Sequence, residues 1–446
     1  MDGTPRPIDV STKLLRIAQL AREDPKRALT TLAHHIDIEF LRVAFERTRK
    51  DGATGVDGQT AEDYEKNLES NLRSLLDRFK SGTYRAPPVR RVHIPKGDGK
   101  TTRPIGIPTF EDKLLQRAVS MVLEAIYEQE FLYFSFGFRP RRGAHDALQY
   151  LWVDLMAMSG GWVLEVDIKG FFDTLDHGHL RAFLDQRVRD GVLRRTIDKW
   201  LKAGVLEDGA LSHPDAGTPQ GGVISPILAN VYLHEVLDRW FEEVVKPRLR
   251  GKAFVVRYAD DFVIAFEHES DARRVYEVLP KRFGKYGLTL HPEKTQLVRF
   301  CRPLLSSIGK GIDAKRGRPG RFDLLGFTHF WSRSRRGFWV IRRKTSATRF
   351  NRGLKRVFEW CRLNRHLPIA EQHKHLSRKL QGHYGYYGIT GNSHALSGFR
   401  YLVHRTWRRW LIRRSQRARM KWEAFNRLLE RFPLPPAKCV HSILAT

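Results

Sequence analysis

Residues 254–266 read FVVRYADDFVIAF and place two adjacent aspartates, Asp260 and Asp261, inside an otherwise apolar run. β-Branched and aromatic residues dominate both flanks, which is the composition of β-strands. The pattern predicts a strand, a tight turn at residues 259–261 and a second strand, because aspartate tolerates the dihedral angles of turns. These residues alone leave two interpretations open: an ordinary hairpin with solvated acids, or a carboxylate pair with a function.

The bulk properties of the chain predict its general class. A length of 446 residues is enough for a substantial core and about two or three domains. Cys301, Cys361 and Cys439 lie far apart and form no CxxC pair, so we expect neither a disulfide framework nor a structural zinc site. The first residues lack the apolar core of a secretory signal, and no run of about 18 apolar residues occurs. We therefore expect a soluble, cytoplasmic protein without membrane association.

The charge of the chain indicates a nucleic-acid partner. Lys and Arg number 79 against 49 acidic residues, a net charge of +30, and such an excess favours binding to polyanions. From residue 333 onward there are 27 basic and 4 acidic residues, and aromatic residues lie among them, including Tyr384, Tyr386, Tyr387, Trp407 and Trp410. Aromatic side chains between arginines suit base stacking beside phosphate contacts. A basic helical domain whose aromatic residues only form its core is the alternative.

The pattern of the chain divides it into three parts. Residues 1–80 show leucines at helical spacing and predict a helical N-terminal extension. Residues 81–335 mix strand and helix patterns, and within them FDLLGFTHFW at 322–331 is interpreted as one strand. Residues 336–446 are basic and predicted to be helical. The expected fold class is therefore α+β, with helical units at both ends.

A third carboxylate gives the aspartate pair a candidate partner. Asp167 ends the apolar run of residues 162–166, and a charge leaving a buried strand requires a counterion. Three carboxylates brought together repel one another and have raised pKa values unless a cation lies among them. Oxygen ligands favour Mg²⁺, and two such ions about 4 Å apart can hold both the attacking and the leaving oxygens of a phosphoryl transfer. Spacing alone does not bring Asp167 to Asp260.

An ordered series of motifs is spread over most of the chain. The motifs are TGVDGQT (54–60), IPKGDGKTTRPIGIPTFEDKLLQ (94–116), FGFRPRRGAHDAL (136–148), VDIKGFFDTLDH (166–177), GTPQGG (217–222), YADD (258–261), GLTLHPEKTQ (287–296), LLGFTHF (324–330) and GYYGITGN (385–392). In this order they resemble the motifs of the reverse transcriptases encoded by group II introns. This resemblance implies a right-hand polymerase, with fingers and an antiparallel palm sheet at residues 81–335. It also implies a helical thumb or maturase (X) domain at residues 336–446.

The resemblance assigns the carboxylates to metal binding. It implies that Asp167, Asp260 and Asp261 are the catalytic ligands of two Mg²⁺ ions, with Mn²⁺ as an alternative ion. Asp167 and Asp260 are the two expected to touch both ions. The backbone carbonyl of Ile168 is implied as a further ligand.

The resemblance also assigns residues to the incoming dNTP. Lys96 and Arg103 are implied to neutralise its triphosphate, and Gln220 to contact the nascent base pair. Phe172 occupies the place of a steric gate that excludes a ribose 2′-OH, with core packing beside Phe171 as the alternative. Lys294 is implied to protonate the pyrophosphate leaving group as a general acid, and a surface lysine is the competing interpretation.

The remaining assignments concern primer, template and RNA. Leu325, Gly326 and Phe327 resemble the primer grip. Arg139 and Arg142 are implied to bind template, although Arg141 stands where glycine is commoner in the family, which leaves the local turn open. In the basic C-terminal quarter, the residues predicted to bind RNA are Arg408, Arg409 and Arg413.

The function implied is an RNA-directed DNA polymerase that also assists splicing and mobility of its intron. Its expected partners are group II intron RNA, an RNA template with a DNA primer, target DNA and dNTPs. No HNH endonuclease motif follows the helical domain, so second-strand cleavage is not expected. Two alternatives stay open: a domesticated reverse transcriptase in phage defence, repair or CRISPR spacer acquisition, and a non-catalytic RNA-binding splicing factor. The oligomeric state and the intron recognised are not predicted.

Overall fold

The computed structural model describes residues 9–95, 101–207, 209–212, 216–218, 221–303, 320–415 and 419–442. Within these ranges the protein contains both helices and three β-sheets, as expected for the α+β class. Lys96 and Gln220 lie outside the described residues.

The first 81 residues contain helices, as predicted. Their bounds are α1 Val10–Glu23, α2 Ile38–Arg47, α3 Ala61–Glu65 and α4 Leu68–Ser81, with a 3₁₀ turn at Ala33–His35. The Asp37 side chain accepts the Phe40 N–H and caps α2, and Thr60 with Asp63 forms a capping box at α3. α1 and α2 pack on the long helix α5, Phe110–Tyr127, so the extension is joined to the main core.

The first sheet contains an antiparallel pair of strands on either side of residues 96–100. Its strands are β1 Val89–Pro95, β2 Thr102–Ile107, β4 Val205–Glu207 and β5 Ala210–Ser212. They are ordered β2-β1-β4-β5, with β1 and β4 parallel and the other neighbours antiparallel. β2 carries Arg103 on its exposed side.

The central sheet contains the predicted hairpin. Its strands are β3 Trp162–Asp167, β6 Ala253–Tyr258, β7 Asp261–Phe266 and β8 Gln296–Arg299, ordered β6-β7-β3-β8 and antiparallel throughout. Alternate side chains of these strands enter two adjoining hydrophobic cores, one on each face. The turn between β6 and β7 lies at residues 259–260, and Ala259 has a φ of 57°. The strand–turn–strand prediction is confirmed.

Six of the described helices accompany this sheet along the chain, and two of them, at residues 144–157 and 269–284, contact its strands directly. The six are α6 Ala144–Ala157, α7 Phe171–Thr174, α8 His177–Asp185, α9 Gly191–Leu201, α10 Ser225–Leu233 and α11 Glu269–Gly284. α10 continues into π-helical segments at His234–Asp238 and Trp240–Val245 and a 3₁₀ turn at Lys246–Arg248. π-Helical turns are rare and often accompany functional sites.

The third sheet corrects one expectation. Its strands are β9 Phe322–Leu324, β10 Phe327–Arg333 and β11 Trp339–Thr345. The stretch 322–331 was expected to be one strand, but Leu325 and Gly326 form a two-residue turn within it. Their φ values of 52° and 80° are both positive, as a type I′ turn requires. The single-strand interpretation is therefore wrong, because an apolar leucine hides the turn from pattern reading.

The C-terminal part is helical, as predicted. Its helices are α12 Ala347–Leu363, α13 Ile369–Tyr387, α14 Ser393–Leu411 and α15 Trp422–Arg431, with a 3₁₀ turn at Ile412–Arg414. Trp407, Trp410 and Leu411 face a separate hydrophobic core, whereas Arg409 is exposed, so one face of α14 packs and another is cationic. Among the described helices, none combines the length and the apolar composition needed to cross a membrane.

Candidate active site

Strand register brings the three aspartates together. β3 and β7 are antiparallel neighbours in which Asp167 is the direct Cα partner of Asp261. Asp260 precedes Asp261 in the β6–β7 turn, at the same end of the sheet. Directly paired residues on adjacent strands have Cβ atoms about 5 Å apart. The register therefore supplies the proximity that spacing could not predict.

The carboxylates carry excess negative charge. Burial in the cleft raises the pKa of Asp260 above its ordinary value, and the Asp167 charge adds to this rise. Burial, followed by the charge of Asp260, raises the pKa of Asp261 to about 7. Asp261 is exposed as a residue, so a cation from solvent can reach it. A cation at this edge would remove the repulsion.

Two cationic side chains offset part of this charge. Lys294 Nζ lies 2.6 Å from Asp167 Oδ2, in a pair whose side chains are 61% and 39% exposed. The positive charge of Arg103 on β2 opposes the rise in the Asp260 pKa, which places the first sheet close to the aspartate turn. The structure thus pairs Lys294 with Asp167 and brings Arg103 within electrostatic reach of Asp260.

The donor set suits a hard divalent cation. Within the described ranges, we find no group of three or more His, Cys, Asp or Glu side chains in a geometry that could hold a metal ion. The aspartates nevertheless offer only oxygen ligands, which hard divalent cations prefer. The pKa values of Asp260 and Asp261 are raised, as is typical of neighbouring carboxylates without a counterion. Ile168 follows Asp167, is buried and pairs with Leu290 in an isolated bridge, which holds its backbone at the same edge. The residues present fit a divalent metal.

A buried ion pair supports the aspartate turn. Arg257, three residues before Asp260, is fully buried, and its Nε donates to Asp238 Oδ1 at 2.8 Å. Its Nη2 donates to the other carboxylate oxygen of Asp238, while Nη1 donates to Asn230 Oδ1 at 2.9 Å and to the Ala259 carbonyl at 3.3 Å. The guanidinium therefore links α10 and the π-helical segment to the positive-φ residue of the turn.

The neighbouring loop fits closely against the same turn. Asn230 Nδ2 donates to the carbonyl of Gly137 at 2.8 Å. A Cβ on Gly137 would lie 2.2 Å from the Ala259 nitrogen, so only glycine allows this approach.

Sequence reasoning missed Arg257 and Asp238. The signal for Arg257 was its charge inside an apolar strand, whereas nothing local marked Asp238 as its partner.

The predicted steric-gate residue lies between the central and first sheets. Phe172 is the second residue of the short helix α7 and packs edge-on against Phe171 at a centroid distance of 5.3 Å. With Gly106 and Gly217 it lines a cavity of about 100 Å³. The Phe172 carbonyl accepts the Thr218 N–H at 2.8 Å. Its ring is half-buried, so part of it is available to the cleft.

The predicted primer-grip residues form the β9–β10 turn and touch the site. The backbone of Leu325 donates a hydrogen bond to the Asp261 carboxyl group, which opposes the rise in that pKa. The Leu325 carbonyl accepts from Tyr386 Oη at 2.8 Å, and Phe327 is buried against the Tyr386 ring. A Cβ on Gly326 would lie 3.1 Å from Tyr387 Oη. The turn is thus held between Asp261 and α13.

The structure changes the interpretation of Arg139. Its guanidinium is buried, pairs with both carboxylate oxygens of Glu128, and donates to the carbonyls of Leu132 and Ser135. These bonds hold it inside the protein, so we assign Arg139 to the support of its loop, and template binding stays a prediction for Arg142. Arg141 is exposed with a φ of 59°, the conformation in which glycine is usual.

Comparison with protein families agrees with this geometry. Residues 94–329 match the family described as reverse transcriptase (RNA-dependent DNA polymerase). This range covers β2, β4 and β5 of the first sheet, the whole central sheet, all three aspartates and the β9–β10 turn. The chain belongs to the reverse transcriptase family.

Its relatives include group II intron-encoded proteins. It is 34% identical over 305 residues to group II intron-encoded protein LtrA of Lactococcus lactis subsp. cremoris, covering 65% of this chain and 50% of that protein. It is 37% identical over 356 residues to protein YkfC of Escherichia coli (strain K12), covering 71% and 91%. It is 34% identical over 188 residues to nuclear intron maturase 2, mitochondrial, of Arabidopsis thaliana, covering 34% and 25%. The chain spans half the length of LtrA, and the resemblance to intron-encoded reverse transcriptases and maturases is confirmed.

Proposed function

We propose that this protein is an RNA-directed DNA polymerase that adds dNTPs to a primer 3′-OH, and a maturase that assists splicing and mobility of a group II intron. The observation that carries the polymerase proposal is the register of Asp167 opposite Asp261, with Asp260 in the adjoining turn. Its proposed partners are the intron RNA, an RNA template with a DNA primer, target DNA and dNTPs.

The proposed domains follow the three parts of the chain. Residues 1–80 are the N-terminal extension, residues 81–335 the fingers and palm, and residues 336–446 the thumb or maturase domain. The β1–β2 hairpin is proposed as the fingers and the central antiparallel sheet as the palm. Support comes from the nearness of Arg103 on β2 to Asp260, because an incoming triphosphate must lie between fingers and palm.

The proposed metal ligands are Asp167, Asp260, Asp261 and the carbonyl of Ile168, which would hold two Mg²⁺ ions or, alternatively, Mn²⁺. Bound there, divalent ions supply activation of the primer 3′-OH and stabilisation of the charge on the leaving oxygen. The raised pKa values of Asp260 and Asp261 support this proposal, because repulsion between unneutralised carboxylates favours binding of a cation.

The protein's own residues orient the reactants. Arg103, with Lys96, is proposed to bind the triphosphate, and Gln220 to contact the nascent base pair. The turn of Leu325, Gly326 and Phe327 is proposed to position the primer 3′-OH for in-line attack, and its hydrogen bond to Asp261 supports that placement.

The test of the proposal is primer extension by the purified protein with divalent metal, dNTPs and a DNA primer on an RNA template. Extension on RNA is expected, together with faster splicing of a cognate intron RNA when the protein is added. If no primer is extended on any template, the polymerase proposal fails. Splicing assistance without extension would instead favour a non-catalytic splicing factor.

Replacing Phe172 with alanine is expected to weaken discrimination against ribonucleotides. Loss of the ring opens the space that a ribose 2′-OH would occupy, and contacts of this size change selectivity by about tenfold or more. The measurement is the ratio of kcat/KM for dNTP and rNTP. Phe171→Leu, in the buried neighbour, is the control and should leave the ratio near that of the wild type. An unchanged ratio in Phe172→Ala would leave core packing as the role of Phe172.

Replacing Lys294 with glutamine is expected to slow the chemical step by about 100-fold, the usual contribution of a general acid. The ion pair with Asp167 supports a role for Lys294 beside the proposed metal ligands, but it also offers a purely electrostatic role. Lys294→Arg separates the two roles, because arginine keeps the charge and does not release a proton near neutral pH. Single-turnover rates that are as fast in Lys294→Arg as in the wild type would contradict the general-acid assignment.

A further inference from the structure

The helical C-terminal part contains a cleft that we call the α14–α15 cleft, lined by Phe358, Arg405, Arg408, Arg409, Arg413 and Trp422. Its volume is about 430 Å³, which falls within the range of about 300–1,000 Å³ typical of ligand pockets. Phe358 comes from α12, the arginines come from the last turns of α14 and the 3₁₀ turn after it, and Trp422 begins α15.

The cleft is strongly cationic. Among the described residues, none of its four arginines pairs with a carboxylate, although most of the ion pairs formed by those residues involve an arginine. Arg405, Arg409 and Arg413 are exposed. Four uncompensated guanidinium groups around one concave surface favour an anionic ligand, since arginine binds phosphate through its planar, forked donors.

Aromatic rings lie beneath these guanidinium groups. Arg408 lies over the Trp422 ring at 4.3 Å from its centroid, and Arg409 lies over the Phe358 ring at 5.4 Å. Trp422 is 41% exposed, so much of its ring is not buried in the core. Guanidinium planes stacked on aromatic rings form flat platforms on which a nucleobase can stack while the N–H edges stay free for phosphate.

One donor in the cleft lacks a protein partner. Arg408 Nη2 donates to the Met420 carbonyl at 2.6 Å, which holds the guanidinium against Trp422. The Nε atom of Arg408 is buried, and no hydrogen-bond partner for it occurs among the described residues. A buried donor without a partner is costly, and a bound ligand can supply its acceptor.

We propose that the α14–α15 cleft binds one unpaired nucleotide of an RNA, with its base stacked on the Arg408–Trp422 platform and its phosphate held by Arg405, Arg409 and Arg413. This deepens the proposed maturase function and rests on it. A duplex surface offers phosphates but no free base to enter a concave pocket, whereas an acidic peptide would satisfy the charge and leave the aromatic platform unused. A folded intron RNA contains unpaired nucleotides of the required kind.

The test compares two labelled RNA hairpins with the same stem, one fully paired and one carrying a single unpaired adenosine. The full-length wild-type protein is expected to bind the bulged hairpin about tenfold more tightly, as expected for one stacked base. Trp422→Ala and Arg409→Ala are expected to remove this preference, so that each variant binds the two hairpins with nearly equal affinity. Arg409 makes no hydrogen bond that stabilises the fold within the described residues, so its variant should melt at the wild-type temperature.

Arg427→Ala is the matched control, because it removes an exposed arginine of α15 that does not line the cleft. It should weaken binding to both hairpins equally and keep the preference. Equal affinity of the wild type for the two hairpins, or a preference that survives both cleft variants, would overturn the proposal. The proposal would also be overturned if an acidic peptide were the only competitor that displaces the bulged RNA from the protein. Primer extension on an unstructured template, measured on the same preparations, reports separately on the polymerase proposal.

Discussion

Replacing Asp260 with alanine is expected to abolish primer extension, lowering its rate by about 1,000-fold or more, since metal-dependent stabilisation supplies several kcal/mol. Asp260 stands in a turn that Arg257 and Gly137 hold in place, beside Asp261 and near Asp167. Alanine removes the two carboxylate oxygens that Asp260 is proposed to offer to the metal ions. RNA affinity should stay within about twofold of the wild type, because phosphate contacts dominate such binding and lie elsewhere.

The measurement is single-turnover incorporation of one dNTP, together with RNA binding at fixed salt. Asp77→Ala serves as the control, because Asp77 is an exposed acid on α4 far along the chain from the site. It changes the net charge equally and should leave extension unchanged. Retention of more than a tenth of wild-type activity by Asp260→Ala would contradict the metal-ligand assignment, whereas loss of RNA binding would point to misfolding.

Replacing Arg257 with methionine is expected to lower the free energy of unfolding by about 3–5 kcal/mol, the usual cost of leaving a buried charge without its partner. Arg257 and Asp238 are both fully buried, and the change would leave the Asp238 carboxylate without its arginine, with only the more distant His234 beside it. It would also remove the hydrogen bond to the Ala259 carbonyl, so the aspartate turn loses its support. Chemical denaturation measures the first effect, and the divalent metal concentration needed for half-maximal extension measures the second.

The neighbouring Arg239 offers a matched control. It pairs with Glu235 and Glu243 on the same helical segment, but its side chain is 42% exposed. Arg239→Met should therefore cost less than about 1 kcal/mol. The double variant Arg257→Met, Asp238→Leu removes both buried charges and should recover much of the stability. If Arg257→Met costs no more than Arg239→Met, the buried pair is not important for stability.

The same pair predicts a response to acid. Burial alone would raise the pKa of Asp238, but the charge and hydrogen bonds of Arg257, with help from His234, outweigh it and hold the pKa below its ordinary value of 3.8. The stabilisation is therefore present above the unfolded-state pKa and is lost as pH falls through the lower folded-state pKa. Arg257→Met should remove this part of the acid sensitivity.

Local patterns predicted most secondary structure near the site. The β-branched and aromatic flanks of residues 254–266 predicted the hairpin, and the helical spacing of leucines predicted α4. They failed at Leu325 and Gly326, where a turn interrupts an apolar run. They also could not show that Arg139 is buried, because its partner Glu128 lies in another segment and an Arg-rich loop is more often exposed.

The sequence by itself determined the elements of this protein, its family resemblance and the carboxylates that carry its proposed chemistry. These depend on side-chain periodicity, turn composition and motif order, which are local properties of the chain. Only the tertiary structure decided that Asp167 is paired with Asp261 across two strands and that Arg257 is paired with Asp238. It also decided that four arginines line one cleft together with the aromatic rings of Phe358 and Trp422. Register and packing set these contacts between distant residues, because burial must satisfy the whole core at once and no local pattern records its outcome.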